Sequence, residues 1–244
     1  KGIKDLKLRF RDLVPEPAIF WRIAKIGIPN FFEGLSMWTA NLIVLQFIGQ
    51  IAAKMASKAG GDEPVVQGLQ GANMIAVQWE SFSYLPGFAI GIAAGTLAGQ
   101  YLGAGNVKQA RKAVIACTGL AVVFMGSLGI VMIFAGHTLT AVISNEPIHL
   151  ELVPQLLVIA GVTQVGFAVM MVVRHALKGA GDTKWTFIIT TISSWGIRLP
   201  AAWFLGVHLE LGLVGIWYAL CGEVFIRAAL YFLRFQHGGW VKEI

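Results

Sequence analysis

Four stretches of the chain, 34–53, 81–107, 113–135 and 152–173, each run for twenty residues or more without a charged side chain. About twenty helical residues at 1.5 Å rise cross a hydrocarbon core of roughly 30 Å, so each stretch is long enough to span a bilayer. Two weaker apolar stretches follow, 185–207 interrupted by Arg198 and 213–233 interrupted by Glu223 and Arg227. The expectation is six spans, at about 26–53, 71–98, 113–135, 152–175, 185–207 and 213–233. Continuous apolarity favours helices, because barrel strands would alternate over about ten residues. Composition points the same way: 56% of the 244 residues are hydrophobic and 13% are charged, where soluble domains carry about 25% charged residues. This argues against an ordinary cytosolic enzyme and against disorder. The two cysteines, Cys117 and Cys221, lie in apolar runs and cannot frame a disulfide scaffold.

The basic residues divide unequally between the two sides that six spans would create. Fourteen fall on the side shared by the two termini, two (Lys54 and Lys58) on the other, and Arg174, Arg198 and Arg227 lie within spans. The positive-inside rule then puts both termini in the cytoplasm, and the membrane expected is the plasma (inner) membrane. The same asymmetry accounts for the net charge of +6 without a nucleic-acid partner.

The organisation expected is a basic, amphipathic cytoplasmic connector at 1–22, a six-helix transmembrane lobe at 23–235 and a cytoplasmic tail at 236–244. In the connector, Ile3, Leu6, Phe10, Leu13 and Val14 recur at helical spacing beside Lys4, Lys7, Arg9 and Arg11. The chain opens on Lys1 without a cleavable leader, which reads as a fragment.

The second span carries Gly87, Gly91, Gly95 and Gly99, a glycine every fourth residue. Stacked on one helical face, these form a groove that a neighbouring helix can approach closely, a packing signal and not a phosphate loop. The segments 103–106 and 179–183 read as helix stops followed by caps, with Asp182 or Thr183 suited to cap the fifth span.

Ionisable groups at membrane depth cost about 2.5–3.5 kcal/mol each on insertion scales unless paired, protonated or hydrated. Five stand out: Glu33, Glu80, Arg198, Glu223 and Arg227. Glu223 and Arg227 are four apart with the acid first, the order of a structural intrahelical ion pair. Arg198 can reach the interface or an acid on another span, and its role stays open. Glu33 has no basic residue within a turn on its own helix, and Pro29 one turn before it frees the carbonyl of Lys25 and invites a kink. Glu33, Met37 and Asn41 form one stripe, expected to face a polar cavity where the carboxyl contacts substrate or ion. Glu80 lies seven residues before Gly87, nearly in line with the glycine ridge, and is expected to point into the bundle with Gln78 and Tyr84 in the same turns, for ion or substrate contact or for helix-to-helix hydrogen bonding. Prolines at 29, 86 and 200 beside buried polar groups suit an alternating-access carrier. No nucleophile elbow, Cys/His pairing, catalytic carboxylate pair or metal-ligand spacing of the five histidines occurs, so neither an enzyme, a cofactor nor a metal site is expected.

The runs Gln78-Trp-Glu-Ser-Phe-Ser-Tyr-Leu-Pro-Gly-Phe88, Ile92-Ala-Ala-Gly-Thr-Leu-Ala-Gly-Gln-Tyr-Leu-Gly-Ala-Gly-Asn106 and Gln109-Ala-Arg-Lys-Ala113 closely resemble the multidrug and toxic compound extrusion (MATE) transporters. So do Ala176-Leu-Lys-Gly-Ala-Gly-Asp-Thr-Lys184, Arg198-Leu-Pro200, Gly215-Ile-Trp217 and Arg227-Ala228. The resemblance is to the second six-helix half of a twelve-helix carrier. It implies an all-α membrane fold, a six-transmembrane-helix bundle forming one lobe of a MATE-type transporter, and a missing N-terminal lobe or second copy of the chain as partner. It further implies export of organic cations, drugs or toxic compounds by antiport against sodium ions or protons, with two lobes around a central cavity.

By the same resemblance, Phe31-Phe32-Glu33 looks like an acidic position that some members use for cation or drug binding. Those members commonly carry an Asp in the fourth helix of this lobe, where this chain has Phe167 and no acid between Leu152 and Arg174. A two-carboxylate site of that type is therefore not expected. The alternatives are a lipid-linked oligosaccharide flippase of the same superfamily, for which a basic cavity would be expected, and a non-transporting membrane scaffold.

Overall fold

The protein's structure, a computed structural model, describes residues 17–58 and 63–242. Residues 1–16 of the expected connector lie outside the described residues. Six rods lie side by side: α1 (Pro17–Lys58), α2 (Glu63–Gly103), α3 (Val107–Ile143), α4 (Pro147–Gly179), a fifth rod over 183–208, and α7 (Gly212–His237). The fifth rod is α5 (Thr183–Ile192), a π-helical turn π1 (Ser193–Arg198), α6 (Leu199–Ala202) and a second wide turn π2 (Trp203–His208). Each of α1 to α4 and α7 is long and apolar enough to cross a membrane. Several overrun the stretches expected: α1 begins at Pro17, so residues 17–22 of the expected connector are helical. Pro17 suits that start, because the first turn has no partner for the missing N–H.

The fifth rod departs from plain α-helix because Pro200 has no N–H to offer the preceding turn. The ladder shifts register instead: the Leu199 N–H bonds the Ser194 carbonyl, and the Leu209 N–H bonds that of Phe204. Such π turns bring consecutive polar side chains to one face and recur at functional sites. Short connections punctuate the rods. Gly105 and Gly181 take left-handed φ of 72° and 86° just past α3's and α5's preceding helices, a conformation that glycine adopts without strain. Asn106 caps α3, its side chain accepting from the Gln109 N–H at 3.1 Å. Asn106→Ala should cost about 1 kcal/mol, read as a small fall in the thermal midpoint of the purified protein.

Packing explains the arrangement. α4 is central, with α2, α3 and α7 against it. The glycine ridge of α2 lets it approach α4 closely: a Cβ on Gly95 would lie 2.7 Å from the His175 carbonyl oxygen, and one on Gly99 would lie 3.0 Å from that of Gly179. Gly91 faces His175 and Met171, and Gly87 faces Met125 of α3.

Two apolar cores form. One gathers Val44, Ile48, Leu69, Leu156, Ile216 and Trp217 near the ends where α1 finishes and α7 begins. The other gathers Ala98, Val114, Leu177, Tyr231, Phe235 and Trp240 at the opposite end. Trp240 belongs to the expected tail. It is buried instead, its ring stacked on Phe235 at 5.2 Å and its Nε1 donating to the Phe235 carbonyl at 2.7 Å. The first half of α1 contributes to neither core. Among the described residues of 17–39, only Glu33 is buried.

Candidate functional site

Between the two cores, the bundle holds two clusters of charged side chains. The first is built on Glu33, whose carboxylate is wholly buried. α4 carries Arg174 and Lys178 one turn apart, which places both cations over the same acid. Arg174 donates through Nε and Nη2 to Oε1 at 2.8 and 2.7 Å, and Lys178 Nζ lies 2.7 Å from Oε2. From α5, the Thr190 hydroxyl donates to Oε1 at 2.9 Å, and the Tyr231 hydroxyl of α7 sits 2.5 Å from Thr190 Oγ1.

Where the sequence reading expected a polar cavity, Glu33 faces two cations supplied by another helix. Its two stripe companions part from it. Met37 is half-buried, and Asn41 is exposed and accepts from Arg198 Nη1 at 3.0 Å.

The second cluster is built on Glu223 of α7. Arg227, one turn on, donates to Oε1 at 2.6 Å through Nε, and Arg198 of π1 donates to Oε2 through Nη2 at 2.9 Å and Nε at 3.3 Å. Ser193 also donates to Glu223 Oε1, and Arg227 Nη2 donates to Ser194 Oγ at 3.1 Å. Arg198 thus reaches an acid on another span, one of the outcomes left open by the sequence. The fifth rod presents Thr186, Thr190, Ser194 and Arg198, four apart and all buried, as one polar face joining both clusters.

A third pair lies at the end of this face, where Arg234 Nε donates to Asp182 Oδ2 at 2.7 Å and stacks over Trp185. Asp182 occupies the capping position of α5 but makes no side-chain cap bond. Its carboxylate goes to the arginine, a stronger charge-assisted partner.

Glu80 differs from the other two membrane-depth acids. It is half-buried and makes no hydrogen bond or ion pair among the described residues. The buried face of α2 runs on past Pro86 through Ser83, Ala76 and Asn73. Gln78 is exposed and Tyr84 half-buried, and neither reaches Glu33. Buried side-chain contacts of α2 include Ser83 donating to Gln164 Oε1 of α4 at 2.8 Å and Asn73 Oδ1 accepting from Trp217 Nε1 of α7 at 3.1 Å.

Residues that the sequence reading did not single out are Arg174, Lys178, Thr190, Ser193 and Tyr231. The four-residue spacing of Arg174 and Lys178 was the available signal. A cleft of about 470 Å³ opens at the far end beside Lys54 and Glu210, away from both clusters. Among the described residues no cluster of His, Cys, Asp and Glu could hold a metal ion.

The arrangement has known counterparts. Residues 29–204 match the MatE family model. The chain is 29% identical over 239 residues to the probable multidrug resistance protein NorM of Thermotoga maritima, covering 98% of this chain and 48% of that protein. It is 33% identical over 170 residues to the multidrug resistance protein NorM of Burkholderia vietnamiensis, covering 68% of this chain and 37% of that one. The chain thus spans about half or less of the length of these relatives.

Among solved structures, a MOP superfamily transporter from Pyrococcus furiosus superposes with a TM-score of 0.80 at 19% identity, covering 97% of this chain and 50% of that chain. A multidrug resistance MATE family transporter in its outward-facing conformation gives 0.79 at 19%, with the same coverage. At these identities the superpositions establish the fold, one six-helix half of such carriers. With motifs, family model and fold in agreement, the chain belongs to the MatE family of membrane transporters.

Proposed function

We propose that the chain is one lobe of a cation-coupled antiporter that exports organic cations, drugs or toxic compounds by alternating access. A second six-helix lobe, or a second copy of this one, completes the cavity. The carrier lies in the plasma (inner) membrane with both termini cytoplasmic, as the fourteen-to-two division of basic residues favours. Sodium or protons supply the gradient, and no cofactor takes part.

The observation that supports this reading is the set of charges inside the bundle: Glu33, Glu80 and Glu223 with Arg174, Lys178, Arg198 and Arg227, drawn from five of the six rods. Charges at membrane depth cost about 2.5–3.5 kcal/mol each. A scaffold gains nothing from them that apolar packing would not supply. A carrier does, because a carboxylate that holds either an internal cation, a coupling cation or a cationic substrate makes each exclude the others. Exchange follows when each bound form favours a different access state.

The test uses the full-length protein in cells lacking their own exporters, with ethidium efflux as readout. Glu33→Gln should abolish efflux. Because that change strands Arg174 and Lys178, it is paired with Glu33→Gln/Lys178→Gln, which removes one charge of each sign. The double variant should insert at the parent level and still fail to export. Efflux restored by the double variant would show that Glu33 acts only as a structural anchor and would overturn its role in exchange.

One observation favours the lipid-linked oligosaccharide flippase instead: each cluster pairs two cations with one carboxylate and is net positive. Under that reading ethidium would not be exported by the parent protein at all.

A further inference from the structure

The cleft at the far end of the lobe belongs to neither charge cluster. Its volume of about 470 Å³ lies within the roughly 300–1,000 Å³ of sites that enclose a small ligand. Four helices give it apolar walls: Ile51 and Met55 of α1, Leu69 of α2, Leu152 of α4 and Leu213 of α7. Polar groups gather at its exposed mouth, where Lys54 of α1, one turn after Gln50, meets Glu210 at 2.5 Å. Glu210 comes from the connection between the fifth rod and α7.

The depth of this cleft is that of a membrane interface. Lys54 is the first charged residue after the uncharged run at 34–53, and the exposed rings of Trp203 and Phe204 stack on His208 at the same end of the fifth rod. Amphipathic rings concentrate at the level of lipid head groups. The two charged side chains are 52% and 55% exposed, and a pair so exposed is weakly held, so a ligand can enter it. Glu210 is also the one non-glycine among the described residues with a left-handed backbone, at φ 53°. Such a conformation persists only where its surroundings enforce it, and it clusters at ligand clamps. A head group of one sign would pair with one of these side chains and strand the other. A head group carrying both signs leaves neither bare, and the apolar walls behind the pair suit a hydrocarbon chain.

We propose that the cleft binds a zwitterionic phospholipid with a primary ammonium, drawn from the leaflet opposite the termini. Its phosphate sits on Lys54, its ammonium on Glu210, and one acyl chain lies between Ile51, Met55 and Leu152. The bound lipid clamps the end of α1 to the connection that leads into α7. The site stands apart from the exchange step and does not depend on what the carrier exports.

The experiment is native mass spectrometry of the purified full-length protein in detergent, titrated with lysophosphatidylethanolamine or with lysophosphatidylglycerol of the same chain length. Met55→Trp fills the cleft without touching either charge, so the lipid that the parent retains and this variant loses is the one bound at the site. That lipid should be held about fivefold more tightly when it is the ethanolamine form, the worth of one exposed charge contact. Glu210→Gln removes the partner of the ammonium and leaves Lys54 for an anionic head group, so it should reverse the order of the two lipids. Both substituted side chains are exposed, and the thermal midpoint of each variant reports that the lobe is intact. Equal retention by the parent and Met55→Trp would overturn the site. Equal affinity of the parent for the two lipids, or an order unchanged in Glu210→Gln, would overturn the head-group assignment. Displacement of the bound lipid by tetraphenylphosphonium would make the cleft a site for organic cations and overturn the lipid as its occupant. All of these outcomes leave the antiporter reading to its own efflux test.

Discussion

Glu223→Gln should destabilise the lobe by about 3–5 kcal/mol, the usual result of removing one partner from a buried ionic group. The carboxylate is buried against Arg198 and Arg227, and Arg227 is itself almost fully enclosed. A neutral amide would leave two guanidinium groups facing each other with no counter-charge. The measurement is the unfolding midpoint of the full-length protein in detergent, together with its yield in the membrane fraction. A double variant, Glu223→Gln/Arg227→Gln, should recover part of the loss, because coupled neighbours are non-additive by about 0.5–3 kcal/mol. A single variant as stable as the parent would show that the cluster contributes nothing to folding.

The second large effect is expected at the α2–α4 seam. Gly95→Ala places a Cβ 2.7 Å from the His175 carbonyl oxygen. That oxygen is backbone and cannot swing aside, so the two helices must separate at a cost of about 1–3 kcal/mol. Gly95→Leu should prevent the native seam from forming. Gly119→Ala on α3 is the matched control, since a Cβ there meets nothing within 4 Å. It should be neutral or stabilising by up to about 1 kcal/mol through helix propensity. Heat treatment followed by size-exclusion analysis ranks the three, and a Gly95→Ala protein that matches Gly119→Ala would remove the close-approach role of the ridge.

What could be read from the amino-acid order divides by range. The six rods follow from runs of uncharged residues, a local property. The pairing of Glu223 with Arg227 follows from a four-residue interval on one helix. The partners of Glu33 were not legible, because Arg174 and Thr190 lie 141 and 157 residues away along the chain. Lys178 compounds the difficulty, since it sits at the end of α4 beside a Gly-rich turn and reads as an interfacial charge. The π turns of the fifth rod left only Pro200 as a hint, because a register shift by one residue does not alter hydrophobic periodicity over so short a stretch.

The first half of α1 is joined to the lobe chiefly through a carboxylate and two cations, aided by Trp195 Nε1 donating to Ser36 Oγ at 2.8 Å. The strength of such a joint depends on the medium around it more than an apolar seam does. Two unit charges 4 Å apart attract by about 4 kcal/mol at an effective dielectric of 20, and by about 1 kcal/mol in bulk water. Entry of water beside Glu33 would therefore loosen the grip on α1 without any atom of the joint being replaced, whereas drying would tighten it. Hydration is in this sense a mechanical input to the lobe.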